Sequence, residues 1–307
     1  MSPDATNRRE WLKQSGAAAV GAAVGATALG ASPVNGGPRD ATSTHRVAPS
    51  RHPDHLKQSA SRWCYQSIPL PTLCREATRM GLMGIDLLQQ SDWDVVNESG
   101  LTVSMGYAAD RRDFLTNGFT NRASHSMLIK ELVDVLPVAK AKNVPNLIAM
   151  FGNRQGRSDS EAIAAAIEGL KQVAPAAEAA GVTICVELLN SKVDHKDYHG
   201  DRTWFGVEVM KGVASSRVKL LYDIYHMQIM EGDVIRTIKA NKDWIGHYHT
   251  GGVPGRHELD ETQELNWRAI ATAIGETQFA GYLAHEFIPT RTPLESLREA
   301  YDICNIE

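Results

Sequence analysis

From Ser59 onward the chain alternates short apolar runs of strand length with amphipathic stretches of helical period, and it does so eight times. Trp63–Gln66, Ile85–Leu88, Leu101–Tyr107 and Asn146–Phe151 read as the first four strands. Val182–Leu188, Val218–Ile224, Ile245–His249 and Tyr282–Phe287 read as the last four. The helical stretches between them are expected over Thr72–Met80, Trp93–Glu98, Ser126–Lys142, Ser160–Ala180, Trp204–Val213, Val234–Asn241, Trp267–Ile274 and Pro293–Ile303. Ser158 and Glu161 stand at capping spacing before the Ala-rich helix, and Gly181 follows its end. Apolar strands separated by helices call for a parallel sheet with helical crossovers. Eight such units in about 250 residues predict a single α/β domain, a (β/α)8 TIM barrel over residues 59–307. An open doubly wound sheet fits less well, since no G-x-G-x-x-G follows the first strand.

The segment before the barrel has a different character. Asn7-Arg8-Arg9-Glu10-Trp11-Leu12-Lys13 precedes a Gly/Ala-rich run, and the pattern over residues 1–31 is that of a twin-arginine export signal. Ala and Gly make the run a poor permanent membrane span. Residues 32–58 are rich in Pro, Gly, Ser and Thr without apolar periodicity, and are expected to be a disordered linker. The expected partner is therefore the twin-arginine export machinery, and the expected location periplasmic, with membrane tethering if the signal is retained. That machinery carries folded proteins, which suits a chain loaded with its cofactor before export.

Composition narrows the function. With 32 Lys+Arg against 36 Asp+Glu the chain is slightly acidic, and no basic block offers a phosphate backbone a grip, so no nucleic-acid partner is expected. Four cysteines lie far apart with no C-x-x-C pair, which fits neither a zinc ribbon nor a disulfide framework. A small-molecule substrate remains, and the sequence is compatible with a homo-oligomer.

The chemistry concentrates where strands five to eight end, the side of such a barrel on which function sits. Val186-Glu187-Leu188, Tyr222-Asp223-Ile224-Tyr225-His226, His247-Tyr248-His249 and His285-Glu286-Phe287 each place ionisable groups inside an apolar run. Burying one such group without a partner costs several kcal/mol. Three carboxylates have no basic partner evident in the sequence, and a divalent cation answers for all of them. Glu187, Asp223, His249 and Glu286 form the candidate set; its oxygen-rich character suits Mn²⁺ or Mg²⁺, with Co²⁺ and Zn²⁺ as alternatives. A structural ion-pair network is the competing account. His247 shares a face with His249 but lies deeper, whereas His285 should point away from the barrel axis. The loop from Thr250 to Glu258 is glycine-rich; its Arg256 has the fork to bind a carboxylate or hydroxyl pair, and His226 lies close enough to lean over the cation.

At these residues the chain resembles the xylose-isomerase-like barrel superfamily and, within it, the hydroxypyruvate isomerases. The markers are Glu187 in Val-Glu-Leu-Leu-Asn, Asp223 in Tyr-Asp-Ile-Tyr-His, Pro-Gly-Arg-His-Glu ending at Glu258, and Glu286 in His-Glu-Phe-Ile-Pro. The resemblance implies one divalent metal on Glu187, Asp223, His249 and Glu286, with Glu187 and Glu286 as paired acid/base residues. It implies substrate contacts from His226, Arg256 and Glu258. The activity implied is a sugar or keto-acid isomerisation, hydroxypyruvate to tartronate semialdehyde, through a cis-enediolate. His249, where cytoplasmic hydroxypyruvate isomerases often carry Gln, resembles the ketose 3-epimerases, and the export signal favours a sugar substrate over hydroxypyruvate, an intracellular metabolite. A keto-sugar epimerase or lyase, or a sugar-binding protein without turnover, stays open.

Overall fold

The computed structural model describes residues 56–306. The expected signal, and all but the last residues of the expected linker, lie outside them. The strands are β1 (Lys57–Ser61), β2 (Gly84–Asp86), β3 (Thr102–Val103), β4 (Gly106–Tyr107), β5 (Asn146–Met150), β6 (Thr183–Leu188), β7 (Val218–Asp223), β8 (Ile245–Thr250) and β9 (Tyr282–His285). The helices are α1 (Leu70–Met80), α2 (Trp93–Glu98), α3 (His125–Ala141), α4 (Asp159–Ala180), α5 (Thr203–Val213), α6 (Ile224–Met230), α7 (Val234–Asn241), α8 (Trp267–Glu276) and α9 (Pro293–Cys304).

All neighbouring strands pair in parallel, in the order β3-β2-β1-β9-β8-β7-β6-β5-β4. The expected third strand, Leu101–Tyr107, is split. Its first half pairs with β2 and its second with β5, while Leu88 N–H donates to Met105 O (3.2 Å) and Tyr107 N–H to Leu88 O (3.0 Å). The nine segments thus occupy eight strand positions of a nearly closed barrel, and the (β/α)8 expectation holds.

Two elements differ from the sequence reading. The first strand is Lys57–Ser61, whereas Arg62–Tyr65 forms a 3₁₀ turn. The small polar residues of β1 lack an apolar run, yet four of the five are buried. The aromatic Trp63-Cys64-Tyr65 that looked like a strand instead folds over its end. The second difference is α6, which begins directly at the end of β7. Asp223 is its N-cap, accepting from His226 N–H at 3.2 Å, so an apolar run that read as strand turns helical there.

Local signals elsewhere act as expected. Ser158 and Glu161 form a reciprocal capping box at the start of α4, and Gly181 ends it at φ +75°. In β8 the register slips by one residue at Gly246, after which Asp223 lies level with His249. Strand alternation then turns Glu187, Asp223 and His249 to a common interior face.

Candidate active site

Four consecutive strands, β6 to β9, deliver one ionisable group each at their carboxyl ends. One ligand-capable atom from each of Glu187, Asp223, His249 and Glu286 lies within 4.8 Å of all the others, and all four residues are buried. His249 Nδ1 is the common neighbour: 2.6 Å from Glu286 Oε2, 3.3 Å from Glu187 Oε1 and 4.0 Å from Asp223 Oδ2. Despite this proximity it has no hydrogen-bond partner among the described residues.

The sequence showed no basic partner for the carboxylates, and here the structure corrects it. Arg256 Nη2 reaches Glu286 Oε2 at 2.6 Å and Asp223 Oδ2 at 3.1 Å, from a loop thirty residues and more away in sequence. Its guanidinium is also stacked between Trp63 and Tyr225, 5.3 and 5.2 Å from the ring centres. The glycines of the loop serve this placement. Gly252 N–H donates to His257 O (2.9 Å), and a Cβ on Gly252 would lie 2.2 Å from the Glu258 carbonyl oxygen. They let the backbone fold onto itself and present Arg256, rather than approach a ligand directly.

Three carboxylates and one guanidinium leave two negative charges in a buried site. In the absence of a cation burial and the neighbouring charges shift the titration of each group. Burial pushes Asp223 up to about 7, reinforced by the charges of Glu286 and Glu187 against Arg256 and His249. Burial also raises Glu187. Glu286 behaves oppositely: burial would raise it, but Arg256, His249 and the Trp63 Nε1–H donor (2.5 Å) hold it at about 2. His249 sits well above the ordinary imidazole range: burial would lower it, but the Glu286 charge and the bond to Asp86 outweigh that. A two-charge deficit, three hard oxygen donors and an imidazole nitrogen without a hydrogen bond fit a divalent cation. Glu187, Asp223, His249 and Glu286 are the residues that would hold it.

The other expected site residues divide. His226, on the first turn of α6, turns back so that its Nε2 lies 3.5 Å from Asp223 Oδ2. Its Nδ1 contacts Asn190 Nδ2 at 2.6 Å, while Nε2 is buried without a hydrogen bond among the described residues. Burial, then the Arg256 charge, keeps this imidazole neutral. Glu258 is not brought to the cluster. Its oxygens accept from Thr290 N–H (2.7 Å), Thr290 Oγ1 (2.9 Å) and Ser296 Oγ (2.9 Å), so it ties the Arg256 loop to the start of α9. His285 lies outside the barrel interior, between Gln58 Oε1 (2.9 Å) and Thr250 Oγ1 (3.2 Å), as its strand position implied.

Two residues went unnoticed in the sequence. Trp63 closes over Arg256 and Glu286 but was read as a strand residue. Asp86, on β2, bonds His249 from behind; the signal for it was the one used elsewhere, a carboxylate inside an apolar run.

The sequence profile of the xylose isomerase-like TIM barrel family matches residues 95–304, and the chain belongs to that family. Among curated relatives, a putative hydroxypyruvate isomerase of Drosophila melanogaster is 28% identical over 66% of this chain and 77% of its own length. The 2-oxo-tetronate isomerase of Cupriavidus necator is 36% identical over 40% of this chain and 46% of its own. The hydroxypyruvate isomerase of Escherichia coli is 29% identical over 52% and 62%. The matched stretches of the last two therefore span less than two thirds of those relatives. Solved structures share the fold at low identity. A family 2 AP endonuclease from Brucella melitensis superposes with TM-score 0.69 at 23% identity, covering 79% of this chain and 97% of that one. A D-psicose 3-epimerase from Clostridium cellulolyticum with D-tagatose gives 0.66 at 16%, covering 82% and 100%.

Proposed function

As a member of the xylose isomerase-like barrel family, this chain is, we propose, a divalent-metal-dependent isomerase of a small keto acid or keto sugar, hydroxypyruvate or a 2-oxo-tetronate being the substrate class. The observation that carries the reading is the meeting of Glu187, Asp223, His249 and Glu286 at the ends of four consecutive strands, their ligand atoms within 4.8 Å. Relatives named as hydroxypyruvate and 2-oxo-tetronate isomerases support it.

A bound divalent cation supplies Lewis acidity, polarising a substrate carbonyl and lowering the pKa of the adjacent C–H. Glu187 and Glu286 are the paired acid/base residues. Their environments push them apart, which supports unequal roles. One of the two would remove the proton from the carbon beside the carbonyl, leaving a cis-enediolate. The other would enter the cycle protonated, give its proton to the enediolate and recover it through solvent, while Arg256 and Trp63 hold Glu286 in place. His226 offers a neutral N–H to a substrate oxygen, and Arg256 carries fixed positive charge toward the same place. Trp63, Tyr225 and Arg256 form the wall that limits water.

Delivery of the proton to the neighbouring carbon is isomerisation; delivery to the opposite face of the same carbon is epimerisation. The second outcome is favoured by His249 and by a D-psicose 3-epimerase relative from Ruminiclostridium cellulolyticum, 32% identical over 39% of this chain and 39% of its own length. Proton NMR in D₂O with the full, Mg²⁺-loaded chain tests both. Deuterium should appear beside a carbonyl, be lost with EDTA, and be lost in Glu187→Gln and Glu286→Gln. Either variant retaining more than about a tenth of the rate, a loss below ~1.4 kcal/mol, removes that residue from the acid/base pair.

We further propose export by the twin-arginine route, on the strength of Arg8-Arg9 followed by Trp11-Leu12. Cell fractionation should find the chain in the periplasm, and an Arg8→Lys/Arg9→Lys double variant in the cytoplasm. An unchanged distribution excludes the route.

A further inference from the structure

His249 is held from both ends. Its Nδ1 faces Glu286, Glu187 and Asp223, and its Nε2 lies 2.9 Å from Asp86 Oδ2 on the other side of the ring. Asp86 ends β2, a strand that contributes nothing to the four-residue cluster, and it is fully buried. A carboxylate in such a place costs several kcal/mol unless it is paired and hydrogen-bonded. Asp86 is both: Oδ1 accepts from Ser104 Oγ at 2.6 Å and lies 3.1 Å from His247 Nε2. The chain leaves it through Leu87 at φ +55°, a left-handed conformation that a bulky side chain adopts only when its surroundings impose it.

We propose that Asp86 is a positioning residue for the cation site. By accepting the Nε2–H of His249, it selects the tautomer whose Nδ1 lone pair points at Glu187, Asp223 and Glu286. The opposite tautomer would aim a proton at those carboxylates, where it competes with a cation. Ser104, donating to Oδ1, keeps the Asp86 carboxylate in the orientation that does this. The inference rests on the proposed cation-binding reading of the cluster. Loss of a carboxylate that orients a ligating histidine typically weakens metal binding by about 10–100-fold.

The test is calorimetric titration of MnCl₂ into the EDTA-stripped full chain, with thermal unfolding as the check on folding. The expected result is one Mn²⁺ per chain, bound roughly 10–100-fold more weakly by Asp86→Asn and weakened to a smaller degree by Ser104→Ala. A folded Asp86→Asn variant with wild-type affinity overturns the proposal. So does a stoichiometry of two in the wild type that falls to one in Asp86→Asn, since Asp86 would then itself be a ligand. Should Asp86→Asn fail to fold, Ser104→Ala decides, and unchanged affinity there overturns the proposal. A wild-type chain that takes up no Mn²⁺ instead brings down the cation-binding reading on which it stands.

Discussion

Asn190 decides what His226 can offer a substrate. Its Oδ1 accepts from the backbone N–H groups of Val193 (3.0 Å) and Asp194 (2.9 Å), which fixes the amide orientation. Its Nδ2 must then face Asp194 Oδ2 and His226 Nδ1, each at 2.6 Å. An imidazole that accepts at Nδ1 carries its proton on Nε2, the atom turned toward Asp223. Asn190→Asp keeps the shape and the backbone bonds but replaces the donor with an acceptor, so the His226 proton should move to Nδ1. Histidine ¹⁵N NMR should report the switch, and kcat/KM should fall roughly 10- to 100-fold for one lost buried donor worth about 1–3 kcal/mol. An unchanged tautomer would remove Asn190 from this role. Nothing in the sequence around Asn190 announces it, because the arrangement depends on a strand end meeting α6. Glu187, Asp223, His249 and Glu286 were legible for the opposite reason, each being ionisable within an apolar run. Asp86 meets the same criterion but stands alone in β2, far in sequence from the others. The pairing of Arg256 with Glu286 and Asp223 left no trace in local spacing.

Among the elements, every helix but α6 matches its expected place, since a 3.6-residue apolar period survives without knowledge of the fold. The strands that failed did so for physical reasons. In β1, Gln58, Ser59, Ala60 and Ser61 are buried by their neighbours and not by their own hydrophobicity. The third strand is split at Ser104-Met105, where its pairing passes from β2 to β5, and alternation alone cannot show that. The loop after β8 offers a prediction at this scale. Glu258 is a strut that ties this loop to Thr290 and Ser296. Burial would raise its carboxyl, but backbone and side-chain donors around Thr290 and Ser296 hold it at about 2 instead of 4.5. A depressed folded-state pKa stabilises above the unfolded value and is lost as pH falls through the folded one. Glu258 therefore contributes up to about 3 kcal/mol at neutral pH, fading between roughly pH 4.5 and 2. Glu258→Gln should lower the denaturation midpoint at pH 7, and its stability curve should converge on the wild type toward pH 2. Parallel curves with a constant gap would assign the loss to shape and not to charge.

For the whole molecule, the barrel concentrates uncompensated charge at one end, and a cation should therefore act on stability as well as chemistry. Two negative charges remain after Arg256 is counted; without a cation, burial pushes Asp223 up to about 7 and raises Glu187, and the Glu286 charge raises His249 against its burial. A ligand that binds the folded chain alone at 100 times its Kd stabilises it by about 2.7 kcal/mol. In a domain of this size that corresponds to a rise in Tm of roughly 5–10 °C. Binding must also displace the protons, so it should strengthen as pH rises through the Asp223 value of about 7. Calorimetric scans of the EDTA-treated full chain with and without Mn²⁺, at pH 6 and pH 8, measure both effects. The Tm increment should be larger at pH 8 at equal free Mn²⁺, and Asp223→Asn should abolish most of it. An increment independent of pH would mean that the ion settles elsewhere on the surface. No increment with Mn²⁺, Mg²⁺, Co²⁺ or Zn²⁺ would leave Arg256 and His249 as the permanent counter-charges of an ion-pair network, and Lewis-acid chemistry at this barrel mouth would have to be given up.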